Sequence, residues 1–233
     1  MELVISGLVA VLFVALCHNA IHAAPIAFYA LAFAIDALYA VGLCFALPDF
    51  VWSVLLVLVQ RCQLAIMLFA IVMFAGALPK TSAVRHALIP IRGELSLIAT
   101  ILAAAHVGYH ASMLIGQVGL LASLPATRLV SFSVAVILVV LLAILSLTSI
   151  AAVRAHMDPV KWKVVQRLAY VFFGLAYVHV ALIFVPSLLA GTMAVWQRFA
   201  LYTALFGAYA LCRIGRRVRD RSVIKLTREG SGA

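Results

Sequence analysis

Apolar residues fill this chain in runs of about 20, each cut by a short polar stretch. A helix of that length spans the hydrocarbon core of a bilayer, at about 1.5 Å per residue. Seven such runs predict seven helices, at roughly 3–22, 25–46, 51–77, 95–121, 128–152, 165–189 and 195–213. The interruptions are brief. "LPDF" (47–50) reads as a turn, "PKTSAVRHALIPIRGE" (79–94) as the longest loop, and "RAHMDPVKWK" (154–163) as a second, basic loop. After Arg213 comes a polar tail, "GRRVRDRSVIKLTREGSGA", whose composition predicts disorder beyond its first turns. No internal repeat and no second domain is visible. The chain divides into a bundle, 1–213, and a basic tail, 214–233.

Composition sharpens this picture. The chain has 233 residues, 67% hydrophobic and only 10% charged. A soluble domain averages about 45–50% apolar and about 25% charged. There are too few polar groups here to coat a globule, so the fold class is an all-α polytopic membrane bundle embedded in a lipid bilayer. The start, "MELVISG", lacks the positive n-region of a secretory signal, so the first run reads as a retained helix.

Charge then sets direction. The net charge of +10 would suit nucleic acid, but the basic residues sit in short loops and the tail, as membrane topology demands. Fourteen Lys and Arg fall in the 79–94 loop, the 154–167 stretch and the tail; the opposite side has only Arg128 and Arg198, with Arg61 left inside a span. That asymmetry predicts an outside N-terminus and a cytoplasmic C-terminus. The tail also suits anionic lipid. Cys17, Cys44, Cys62 and Cys212 lie in apolar segments without a CxxC pair and read as small buried hydrophobes, implying no iron–sulfur or zinc site.

Polar groups inside the spans are the candidates for chemistry, because hydrocarbon penalises them. "ILAAAHVGYHASMLIG" (101–116) carries two histidines one turn apart. His106 lies 12 residues beyond Glu94, about 18 Å into the fourth span; His179 lies 12 residues beyond Arg167, again about 18 Å into the sixth. Both spans enter from the cytoplasmic side, so the imidazoles reach one level in the outer half. A haem between two helices needs one neutral imidazole from each side, and small residues in "ATILAAAH" and "GLAYVH" would make room for the ring. The plainer alternative for each histidine is a hydrogen bond to a neighbouring helix. His110, one turn beyond His106, is a ligand by register or a neighbour of a haem propionate or exit path.

Three further groups stay open. His18 and His22, in "CHNAIHAAP", sit at the polar interface, help bind a quinone or handle protons, or ligate an inner haem. Asp36 and Arg61, the latter flanked by Gln60 and Gln63, both fall near the midplane by residue count. They read as an ion pair, with Arg61 at a haem propionate, or Asp36 as a proton carrier, as the functional alternatives. Arg92, Arg154, Trp162 and Arg167 form a basic, aromatic inner patch, suited to an anionic donor such as a flavin phosphate or to a quinol headgroup; positive-inside charge alone also explains them. His86 and His156 read as solvated loop residues.

Two of these segments resemble ferric-reductase-like transmembrane domains, and among them the haem-bearing membrane subunit of the bacterial methionine sulfoxide reductase system. "RGELSLIATILAAAH" (92–106) is similar to that family's run from a basic residue to a ligand histidine 14 positions later. "WKVVQRLAYVFFGLAYVH" (162–179) is similar to its W-x-x-L-H-R-L-x-Y segment followed by another histidine, with Trp162, Arg167, Leu168, Tyr170 and His179 in place. "FAGALPK" (74–80) resembles the basic turn before the first motif, and the likeness covers about 50–190. Where the family has a histidine, this chain has Gln166, and the facing position is near Gly93. Neither ligates iron, so the resemblance implies one haem b on His106 and His179, with a second, inner site lost or altered.

The chain has no glycine-rich dinucleotide motif and no flavin or nicotinamide domain. The resemblance therefore implies an electron-transfer subunit of a bacterial inner membrane. It would relay electrons from a quinol or a flavoprotein carrying FMN to an extracytoplasmic reductase partner. Quinone or FMN is then a further cofactor at the inner patch, Gln166 included. The alternative is a non-redox seven-helix receptor or small transporter. A retinal protein is excluded by "VWQRFALYTALFGAYALC", which offers no lysine for a Schiff base.

Overall fold

The computed structural model describes residues 2–116, 119, 125–191 and 193–230, with side chains described through Arg219. The described residues form helices and no strands: α1 (Glu2–Ala23), α2 (Pro25–Cys44), α3 (Asp49–Leu55), α4 (Gln63–Ala77), α5 (Ala83–Leu88), α6 (Arg92–Ile115), α7 (Ala126–Leu147), α8 (Ala151–Ala155), α9 (Pro159–Gln166), α10 (Leu168–Leu189) and α11 (Met193–Gly230). Five helical segments are long and apolar enough to cross a membrane, or six if α3 and α4 count as one bent span. The C-terminal helix, expected as a seventh, is not among them. Gln197 and Arg198 interrupt its apolar half. Large apolar side chains such as Leu16, Ile26, Phe50 and Leu189 point outward. That is the surface lipid requires and water does not tolerate over so wide an area.

The stretches expected as loops are partly helical because they carry their own caps. Ser82 accepts from the Arg85 amide at the start of α5. Asp158 accepts from the amides of Val160 and Lys161 at 3.0 and 2.9 Å, directly before Pro159 starts α9. Both satisfy first-turn amides that have no intrahelical partner. The tail expected to be disordered instead continues α11 to Gly230. The side chains of Arg221, Lys225 and Arg228 lie outside the described residues, as do residues 117, 118, 120 and 121 of the expected fourth span.

The third span departs most from expectation. Rather than one helix over 51–77, α3 widens into a π-helical turn at Leu56–Gln60, and the chain stops at Arg61. Cys62 takes the left-handed conformation at φ 56°, and α4 restarts at Gln63, bent by 44°. No proline or glycine causes this. The polar run Gln60–Gln63 is held open by partners on two other helices, α1 and α6.

α4 forms the centre of the bundle. Leu68, Met73 and Ala70 on it are buried against α1, α6 and α11, while α7 pairs with α10. At the inner end of α4 the last carbonyls face three guanidinium groups. Arg85 donates to Ala75 and Leu78, Arg213 to Gly76 at 3.1 Å, and Arg216 to Gly76 and Leu78. Cations there complement the negative end of the helix dipole.

Candidate functional site

The break in the third span frees the Gln60 carbonyl, which no longer has a place in a regular helix. Nδ1 of His106 lies 2.5 Å from that oxygen. A carbonyl only accepts, so Nδ1 carries the hydrogen and donates it. On α10, Nδ1 of His179 lies 3.2 Å from the carbonyl of Ser131 and 3.3 Å from its hydroxyl, both on α7. Each ring is thus oriented by an acceptor on another helix. In a neutral imidazole this tautomer leaves Nε2 with a bare lone pair. Neither Nε2 has a hydrogen-bond partner among the described residues.

Three imidazoles converge. His106 and His110 have ring centroids 4.6 Å apart, and His110 meets Tyr109 edge-on at 5.1 Å. His179 lies within electrostatic reach of both. Yet the backbones of α6 and α10, which carry these rings, scarcely touch, while α7 contacts both. A Cβ added at Gly108 or Gly174, close to the two histidines, would meet nothing within 4 Å. Two oriented imidazoles whose Nε2 atoms are without partners have the donor chemistry that a haem iron takes. Among the described residues no three His, Cys, Asp or Glu form a metal-binding group. Bis-imidazole haem ligation needs two protein donors, since the porphyrin supplies the rest.

The other residues singled out from the sequence separate into three places. Arg61 does not pair with Asp36. Its guanidinium meets the Glu2 carboxylate, half-exposed at the N-terminal end of α1. The bend lifts Arg61 toward that end, and one turn along α1 Ser6 donates to Gln63 at 3.0 Å in a buried bond. Asp36 lies beside the break and within reach of Cys62, and its Oδ1 is buried without a hydrogen-bond partner. Around it Tyr39 stacks on Trp52 at 5.8 Å and meets Tyr109 edge-on at 6.4 Å.

His18 and His22 do not join this cluster. His18 is half-buried and bonds the Ala15 carbonyl of its own helix, and His22 is exposed. On the inner side, Trp162 donates from Nε1 to the Thr148 carbonyl at 2.9 Å, and Gln166 donates to the Thr148 hydroxyl at 3.0 Å. These bonds tie α9 to the end of α7. The Arg154 guanidinium lies 5.9 Å above the Trp162 ring, and Arg167 is exposed. His86 and His156 sit on α5 and just after α8 rather than in irregular loops.

Sequence reasoning missed one feature. A partly open crevice lies between α4, α6, α7 and α10 at the end of the bundle that carries the basic loops, lined by Arg92, Ser96, Thr100, Ser146, Ser149 and Gln166 over an apolar, partly aromatic floor. The signal was present: Ser96 and Thr100 are spaced i, i+4, and Ser146 and Ser149 i, i+3, each pair on one helix face.

No family model matches the chain, and no solved structure matches it. It is similar to a protein of Treponema pallidum (strain Nichols) described as uncharacterized, with 36% identity over 155 residues. That stretch is 66% of this chain and 43% of the relative, so the chain spans less than half of the relative's length.

Proposed function

We propose that this chain is a membrane b-type cytochrome. It has seven membrane helices with an outside N-terminus and a cytoplasmic C-terminus, and relays electrons from a quinol or a cytoplasmic flavoprotein to an extracytoplasmic reductase partner. One observation carries the reading: two imidazoles on separated helices each donate Nδ1–H to a neighbouring carbonyl and keep Nε2 bare. That is the arrangement of ligating histidines with their orienting partners. His106 and His179 would hold one haem b, which supplies one-electron iron chemistry when bound. The Gln60 and Ser131 carbonyls fix the two rings, and the apolar helices around them exclude water. His110 lies beside the same carbonyl as His106 and serves as a neighbour rather than a third ligand. Arg61, engaged by Glu2, would sit at the outer rim of the haem site in this orientation.

Absorption spectroscopy of the purified chain tests this. The expected result is a Soret band that shifts on dithionite reduction and disappears in the double variant His106→Ala, His179→Ala. A colourless wild-type protein with full helicity, even after haem supplementation during expression, would sink it.

A second reading, a small transporter, draws on the break in the third span beside the unpartnered Asp36 oxygen. Broken helices near buried carboxylates are how transporters hold ions or protons. Substrate-dependent uptake lost in Asp36→Asn, from a haem-free protein, would favour it.

A further inference from the structure

The inner crevice poses a charge problem that the haem reading does not address. Arg92, the first residue of α6, lines it, and its guanidinium makes no ion pair and no hydrogen bond among the described residues. Its charged neighbours are cations: Arg85 and Arg213 are within electrostatic reach, together with the phenols of Tyr170 and Tyr209. Those two arginines are already engaged by the carbonyls at the end of α4. The nearest carboxylate in sequence, Glu94, lies beside Tyr29 on the α2 side. A partly buried, uncompensated guanidinium in a low-dielectric site is costly, so the site calls for an anion.

The crevice walls narrow the choice. The hydroxyls donate to their own helices: Ser96 to the Arg92 carbonyl at 2.9 Å, Ser146 to Leu142 at 2.6 Å and Ser149 to Leu145 at 2.7 Å. Beyond them the lining is apolar, with Phe69, Leu142, Leu145 and Phe172. An occupant therefore needs an anionic, oxygen-rich head for Arg92 and a hydrocarbon body for the floor. The crevice lies at the end of the helices that carries the basic loops, which the proposed orientation puts at the cytoplasmic surface, where anionic phospholipid is the abundant molecule of that description.

We propose that this crevice is a phospholipid site: the phosphate of an anionic lipid sits on the Arg92 guanidinium, and an acyl chain lies along Phe69, Leu142 and Phe172. Arginine suits the role because its planar fork donates two parallel hydrogen bonds to phosphate oxygens. The inference stands apart from the haem reading and survives its failure.

The test uses the full chain in nanodiscs of phosphatidylglycerol or phosphatidylcholine, read by native mass spectrometry of retained lipid and by thermal unfolding. We expect at least a tenfold preference for phosphatidylglycerol, equivalent to about 1.4 kcal/mol, and a higher unfolding temperature in that lipid. Arg92→Gln should abolish the preference, Arg92→Lys should keep part of it, and Lys163→Gln, the same charge change on the exposed face of α9, should leave it intact. Leu142→Trp, which fills the apolar floor and leaves Arg92 in place, should also abolish it, so the test survives if Arg92→Gln fails to fold. Equal retention of both lipids overturns the proposal. So does a phosphatidylglycerol preference that Arg92→Gln and Leu142→Trp leave unchanged, which would assign it to the basic surface in general. Stabilisation by millimolar inorganic phosphate equal to that by phosphatidylglycerol also overturns it, in favour of a soluble anion.

Discussion

The region around the break in the third span and the crevice at the basic end of the bundle use similar helices but satisfy their polar groups in different proportions. In the first region, side chains bond across helices: His106 to Gln60, His179 to Ser131, Ser6 to Gln63 and Arg61 to Glu2. In the crevice the hydroxyls of Ser96 and Ser149 bond to their own helix backbones, a single bond from Thr100 to Ser146 at 2.8 Å crosses between helices, and the Arg92 guanidinium has no ion pair among the described residues. Cross-helix bonds fix side-chain geometry, which a redox centre needs. Self-satisfied hydroxyls leave space between helices, which a lipid needs. The contrast separates a site built to hold rings still from one built to stay open.

The largest expected effect disrupts the first region alone. Replacing His106 and His179 together by Ala should remove the haem, measured as the haem-to-protein ratio, while the response to phosphatidylglycerol persists. Next comes Gly42→Ala. A Cβ there would fall 2.7 Å from Leu47 and 2.8 Å from Trp52. Trp52 is stacked on Tyr39 and has little freedom to give way, so unfolding in mixed micelles should show a loss of about 1–3 kcal/mol. Ser6→Ala, which removes one cross-helix bond at the break, should cost about 0.6 kcal/mol in the same assay, a typical value for such bonds in membranes. The smallest effects belong to the crevice. Ser96→Ala and Ser149→Ala should each stay within about 0.5 kcal/mol, since neither hydroxyl ties two helices. A larger loss there would erase the distinction between the two regions.

Much of this architecture was legible in the chain. The first two runs, read at 3–22 and 25–46, are α1 and α2 to within two residues at each end. Hydrocarbon thickness and the apolar-to-polar switch fix such ends, so periodicity adds little. Residue counting also singled out His106 and His179, which lie within electrostatic reach of one another. What failed was anything that depended on a straight third span. Counting residues along a continuous helix put Arg61 opposite Asp36; the bend at Gln60–Gln63 raised it to Glu2 instead. The polar run "QRCQ" marked that place, but neither proline nor glycine announced a break, and its stability comes from Ser6, Glu2 and His106 on distant helices. Such partners cannot be read from a local window. The crevice was missed for a related reason: four spaced hydroxyls become a wall only when two helices place them face to face, as Thr100 and Ser146 do at 2.8 Å.

The guanidinium cap on α4 has a bearing on biosynthesis. Arg213 reaches back 137 residues to the Gly76 carbonyl. A ribosome must therefore translate as far as Arg213 before this end of the central helix is sealed. Until then those carbonyls rely on water or lipid headgroups. A stop codon ahead of Arg213 would leave every earlier helix made and the bundle unlocked at its base, a substrate for membrane quality-control proteases.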